Sequence, residues 1–285
     1  ARSMIVVAGG SLSIEGVEIE LEMPRKIPAA TWTLFEVLRA QRLRLERTTL
    51  SIRNSGDQQA AFHPSVAFFD LKTPPGSETM GTAGTAPART VIELTDCVLR
   101  GEATCLRTSE FEPVQLVWNN GLLATSESLL SARGEAGRPR PSSGVEIELR
   151  HVTAVVLGGL ARLANSDDLP YLFNTSIALD SCAIATDPQS PLIEQRGIDS
   201  VNQFRDQLKW SAKNVDFEGT AVFWRVTNTV SNDTTDLDFA TWENYWGTKS
   251  ETECRRGTLP WLGDGVAKKR LGDLTPSDLD HPPLR

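Results

Sequence analysis

Apolar residues in this chain recur two apart, break at a polar pair, and then recur two apart again. One such phrase is Ile92-Glu-Leu94, Thr95-Asp96, Cys97-Val-Leu99, and the next is Leu116-Val-Trp118, Asn119-Asn120, Gly121-Leu-Leu123. It returns as Ile147-Glu-Leu149, Arg150-His151, Val152-Thr-Ala154 and as Ile177-Ala-Leu179, Asp180-Ser181, Cys182-Ala-Ile184. Leu12-Ser-Ile14, Glu15-Gly16, Val17-Glu-Ile19 fits near the start. Two looser copies begin at Leu43 and Leu208 and resume at Leu50 and Val215, each read with a longer turn. Alternation with period two predicts a strand with one buried face. Asn and Asp tolerate left-handed backbone, so the polar pair predicts a sharp bend between two short strands.

Anchors at 92, 116, 147, 177 and 208 stand 24, 31, 30 and 31 residues apart. Those intervals leave no room for a full helix at every step. They predict an all-β fold: a single-stranded, right-handed parallel β-helix of about seven coils stacked about 4.8 Å apart. The domain reading is a β-helix over 1–235, a partly helical cap over 236–262 and an extended, polar, Pro-containing tail over 263–285. Loops are expected at 57–88, which holds Pro74-Pro75-Gly76, at 134–144 and at 187–206. The first of these encloses a strand at Val66–Leu71 and the last a short helix at Ile198–Phe204. Asp238 to Trp246 has helical spacing and closes the end of the stack.

Across roughly residues 5–230 the stacked phrase resembles the pectin-lyase-like β-helix superfamily. Ile5–Ile14, Val66–Leu71 and Ala221–Val226 are similar to segments in C-terminal domains of large bacterial proteins that begin with a serine/threonine kinase. That resemblance implies a β-helix, membership of a larger protein and an extracytoplasmic or cell-envelope setting. The segment holds no phosphate-cradling glycine loop, His-Arg-Asp or Asp-Phe-Gly of a kinase. Glycoside-hydrolysing relatives carry Asn-Thr-Asp, Gly-Asp-Asp, His-Gly and Arg-Ile-Lys. Here Asn174-Thr175 runs into Ser176, Asp167-Asp168 follows Ser166, and the other two motifs are missing.

Composition narrows the function classes. In 285 residues, 40% are hydrophobic and 23% charged, the balance of a folded domain. A net charge of −8 argues against a nucleic-acid binder. No run approaches the length of a membrane span, and the start lacks a secretory leader; Ala1-Arg2-Ser3 reads as the cut edge of a longer chain. The four cysteines have no zinc spacing, and Cys97 and Cys182 read as core residues three coils apart.

Candidate chemistry then falls into a few groups. If the chain is an enzyme of the polysaccharide lyase or hydrolase type, Asp167, Asp168 and His151 are its catalytic candidates, His151 standing in the exposed row of polar pairs. Carboxylates pair as acid and base or hold calcium in such enzymes, so Asp233, Asp236 and Asp238 are the Ca²⁺ candidates. Arg42 and Arg44 flank inward Leu43 and face outward, and Arg138 and Arg140 sit in a loop at the same corner as the aspartates. Trp242 and Trp246, four apart, make one helical face that serves either as a cap or as a sugar platform. Because the motifs are broken while the repeat is well formed, the leading reading is a non-catalytic binding module for a polysaccharide or a protein surface. A rigid spacer is the remaining alternative.

Overall fold

The computed structural model describes residues 2–23, 31–54, 65–73, 89–108, 112–139, 144–246, 251–259, 261 and 269–280. Almost all of its regular structure is strand, arranged in two large sheets. The first three strands are β1 (Arg2–Ala8), β2 (Ser11–Glu15) and β3 (Glu18–Glu22), and a second pass repeats them as β4 (Trp32–Leu38), β5 (Arg42–Glu46) and β6 (Thr49–Arg53). β1 pairs with β4, β2 with β5 and β3 with β6, all in parallel. Later passes continue in the same way. One sheet grows through Val66–Lys72, Thr104–Thr108, Leu130–Arg133, Ala161–Ala164, Ile193–Gly197 and Trp224–Asn228. The other grows through Thr90–Gly101, Val114–Thr125, Gly144–Val156, Asn174–Asp180 and Leu208–Lys213. The all-β expectation holds, and alternating passes between parallel sheets are compatible with a solenoid. Among the described residues, no helix is long and apolar enough to cross a membrane.

The bend in the second sheet is the expected one. Gly16, Arg47, Asp96, Asn120, His151, Ser181, Asn214 and Glu253 all have left-handed backbone, with φ between 47° and 65°. Each is the second residue of its polar pair, and Asn, Asp and His are the non-glycine residues that adopt this region most readily. Register stacks them: Asn119 lies beside Thr95 and Arg150, and Gly121 beside Cys97 and Val152.

Several expectations need correction. The copies at Leu43 and Leu208 have no longer turn. Glu46 pairs with Thr95 and Thr49 with Val98, so buried Thr48 takes the place of Cys97. Trp210, not Leu208, is the true anchor, since it pairs with Ile177. A polar Thr48 and a small Ala212 in inward positions disguised the alternation. The 187–206 stretch is not all loop, because Ile193–Gly197 is a strand and the helix α1 runs Val201–Asp206 behind a Ser200–Gln203 capping box. Nor does the repeat stop at 236. After an antiparallel strand Thr234–Leu237 and the helix α2 (Phe239–Trp246), two-residue strands at Glu251–Thr252 and Arg255–Arg256 rejoin the second sheet.

The tail is also more than extended chain. Residues 269–280 form two 3₁₀ turns that seat Leu271, Leu274 and Leu279 on Leu122, Ala124, Val155 and Ala185, outward-facing residues of the second sheet. Arg100 donates to the Leu274 carbonyl at 2.8 Å, and Arg53 reaches Asp273 at 2.9 Å. Burying each leucine contributes roughly 1.5–3 kcal/mol, enough to hold a short strap down.

Asp278 locks the strap. Its carboxylate accepts from Lys269 at 2.6 Å and from the Thr275 hydroxyl and backbone N–H at 2.6 and 2.8 Å. The Lys269 ammonium, with those Thr275 donors, holds its pKa down from 3.8 to about 2. A carboxyl whose folded pKa is depressed stabilises the docked state fully above its free pKa and loses that contribution as pH falls through the folded value. The strap is therefore expected to loosen progressively between about pH 4 and 2. Trp261, which packs on the same cluster and donates to Glu218 at 2.8 Å, should report this by fluorescence. Asp278→Asn should remove the transition; an unchanged acid transition in that variant would refute the assignment.

Candidate functional site

Where the left-handed corners stack, their side chains form one polar row. Asp96, Asn120, His151, Ser181 and Asn214 line a groove of about 540 Å³. Asn120 donates to Asp96 at 2.7 Å, and Asn214 to Ser181 at 3.3 Å. Ser181 in turn donates to Asp180 at 3.0 Å. His151 is the exposed middle rung, and its ring has no hydrogen-bond partner among the described residues. Buried Leu122 and Val152 and half-buried Val98 supply an apolar floor, while Pro276, Leu279 and Asp280 of the strap make the far wall. Beneath the row, Cys97 and Cys182 are buried free thiols, and burial pushes the Cys182 pKa up to about 11, far from a reactive thiolate. The groove thus offers donors and acceptors at one per pass beside an apolar strip.

The sequence placed His151 in an exposed row, and that is where it stands. It gave no indication of the groove, because the strap forms one of its walls. The one sequence signal for the strap is two unbroken apolar runs, Leu122-Leu-Ala124 and Ala154-Val-Val156, of the kind found in strands covered on both faces.

The remaining candidates lie apart from this groove. Asp167 and Asp168 are exposed in a Ser166–Leu169 turn, with no base or cation bonded to either among the described residues. In the neighbouring loop Arg138 stacks over Tyr171 at 5.4 Å and bonds its hydroxyl at 3.3 Å, so loops at the same corner do meet. Arg140 lies outside the described residues. Arg42 and Arg44 face outward as expected, but within a balanced surface: Arg42 reaches Glu93 at 3.6 Å and Arg44 reaches Glu46 at 2.9 Å.

The Asp233, Asp236 and Asp238 group does not converge on a cation. Asp236 forms a two-pronged pair with Arg225, at 2.8 and 2.7 Å, which holds its pKa below the usual range. Asp238 sits at the start of α2, where bonding from the Thr241 hydroxyl, and then from the Thr241 N–H at 2.9 Å, lowers its pKa. Asp233 sits at the hairpin tip, where its carbonyl accepts from Asn228 N–H. Among the described residues no three His, Cys, Asp or Glu side chains are placed to hold a metal ion. Asp236 instead ends a row of alternating charge on the outer face of the first sheet, which includes Arg162 between Glu127 and Glu194.

Trp242 is fully buried and so is not a platform for sugar. Trp246 is half-buried against it, with ring centres 5.4 Å apart.

No family model, curated protein or solved structure matches the chain. What the fold defines is an all-β protein of long parallel sheets.

Proposed function

We propose that the chain is a non-catalytic binding module and that the corner groove holds an extended polyhydroxylated chain, a glycan. The reading carries with it a pectin-lyase-like, right-handed β-helix of about seven coils and a place in a larger bacterial protein facing the cell envelope. The single observation behind it is the row from Asp96 to Asn214, one hydrogen-bonding side chain per pass beside an apolar floor. Stacked strands repeat at about 4.8 Å. Sugar units of an extended polysaccharide repeat on a similar scale, each with hydroxyls that both donate and accept and an apolar C–H face. Amide, imidazole and hydroxyl groups match the first, and Val98 and Leu122 match the second.

The enzyme alternative has less support, since Asp167 and Asp168 stand in a solvated turn away from the groove. The rigid-spacer alternative predicts no ligand at all.

A thermal-shift panel of neutral and acidic polysaccharides, each with calcium and with a chelator, tests the proposal. One glycan class at 100 times its Kd should add about 2.7 kcal/mol to stability. Asn120→Gly/His151→Gly, which removes both side chains but suits their left-handed backbone, should weaken that glycan at least tenfold with the melting temperature of the free protein nearly unchanged. A panel with no shift would remove the glycan reading, and equal affinity in the double variant would move the site elsewhere.

A further inference from the structure

We propose, resting on the glycan reading of the corner groove, that its occupant is cationic: an extended polymer of amino sugars whose amines are free.

The fixed charge of the groove has one sign. Asp96 stands in the polar row and Asp280 in the strap opposite, and no lysine or arginine is among the described residues that line the groove. Asp96 accepts from Asn120 at 2.7 Å through one oxygen, and neither carboxylate is bonded to a cation among the described residues.

Cations of the adjoining segments are engaged elsewhere. Arg47, the corner residue one pass before Asp96, bonds Glu46 at 2.7 Å and also Glu15. Arg150, next to His151, bonds Glu148 at 3.3 Å, and Lys213, next to Asn214, stands beside Asp180 in the register. In the strap, Arg53 holds Asp273 at 2.9 Å and Lys269 holds Asp278 at 2.6 Å. Of the strap's three aspartates, the one left without a cation is Asp280, on the groove wall.

That charge selects the occupant. A cleft lined by one sign of charge over low-dielectric walls focuses its field and concentrates counter-ions. Val98, Leu122 and Val152 supply such a floor. A uronic-acid polymer would set carboxylates against Asp96 and Asp280, which like-charge repulsion opposes. A neutral sugar offers the free oxygen of Asp96 only hydroxyls, whereas an ammonium makes a charge-assisted bond. A basic polypeptide has the right sign and the wrong spacing. Extended chain rises about 3.3 Å per residue, so side chains on one side recur about every 6.6 Å, out of step with passes about 4.8 Å apart.

The test titrates the full chain, near neutrality, with three hexasaccharides of one linkage: an N-acetylated amino sugar, the same sugar with its acetyl groups removed, and a uronic acid. By calorimetry the deacetylated sugar should bind about tenfold more tightly than the acetylated one and lose that margin as salt rises, with the uronic acid weakest. Asp96→Asn/Asp280→Asn should bring the deacetylated sugar to the affinity of the acetylated one and leave the latter unchanged. Asn tolerates the left-handed backbone at 96 and still accepts from Asn120, so the fold should be kept; Asp280→Asn alone should remove part of the margin. Equal affinities, or a preference for the neutral or acidic sugar, lost in Asn120→Gly/His151→Gly, would overturn the charge assignment and keep the glycan reading. An amine preference that persists without both aspartates would overturn it as well. An oligolysine bound as tightly as the deacetylated sugar would overturn it in favour of a basic polypeptide. No binding of the three sugars would also overturn it, and the polysaccharide panel then decides whether the glycan reading stands.

Discussion

Trp242→Ala should destabilise the protein by about 3–5 kcal/mol, the usual cost of deleting a fully buried large aromatic. Its ring lies edge-on to Trp210 with centres 5.2 Å apart, and within 6.4 Å of Trp224 and Phe223. Removing the indole leaves a cavity that this cluster cannot collapse to fill, because Trp210 and Trp224 are pinned in different sheets. Urea unfolding should show the lowered midpoint, and Trp246→Ala, at a half-buried position, should cost clearly less. Glycan affinity of the folded variant should match that of the parent. Weakened binding at parental stability would instead make Trp242 a sugar platform and overturn the packing reading.

Gly121→Ala should cost about 2–3 kcal/mol and remove ligand binding with it. A β-carbon at Gly121 would stand 2.3 Å from the Cys97 carbonyl oxygen and 2.4 Å from the Trp118 indole nitrogen. The indole is fully buried and the carbonyl is backbone of the adjacent pass, so relief requires two passes to part. Overpacking of this kind costs 1–3 kcal/mol, and a backbone neighbour puts it at the upper end. Separation of the passes would also pull Asn120 from Asp96, now 2.7 Å away, and detach the first rung of the polar row. A melting temperature lowered by roughly 4–10 °C is the expected readout, together with loss of the glycan shift. Parental stability would mean that the passes are looser than their packing indicates.

The two variants divide what could be read from residue order from what could not. Gly121 is legible, since it follows a polar pair whose second residue must bend left-handed. Trp242 is half legible: its spacing with Trp246 gave a helical face, but not whether that face met solvent or Trp210. Three cases were hidden for physical reasons. Thr48 and Ala212 broke the alternation because a stacked core tolerates a bonded hydroxyl or a methyl where a leucine usually sits; Thr48 donates to the Glu46 carbonyl at 2.9 Å. The first sheet was nearly silent because several of its strands are only four or five residues long and use residues such as Ala132 and Gln195. Gln195 is buried by accepting from Trp224 at 2.7 Å and donating to the Phe204 carbonyl, a pairing made across the fold. Asp236 is one of the calcium candidates by residue type, and only an antiparallel turn made across the fold lays it beside Arg225.

By itself the sequence determined the strands of the second sheet, their left-handed corners and the exposed row that contains His151. Those features depend on alternation and backbone preference within a few residues, and such preferences travel with the residues. The tertiary structure alone decided which corners stack into one groove, which carboxylate meets which arginine, and that the chain near its C-terminus returns to wall the groove. These depend on register between passes separated by insertions of unequal length, and on Leu271, Leu274 and Leu279 finding an apolar face that no local pattern assigns to them.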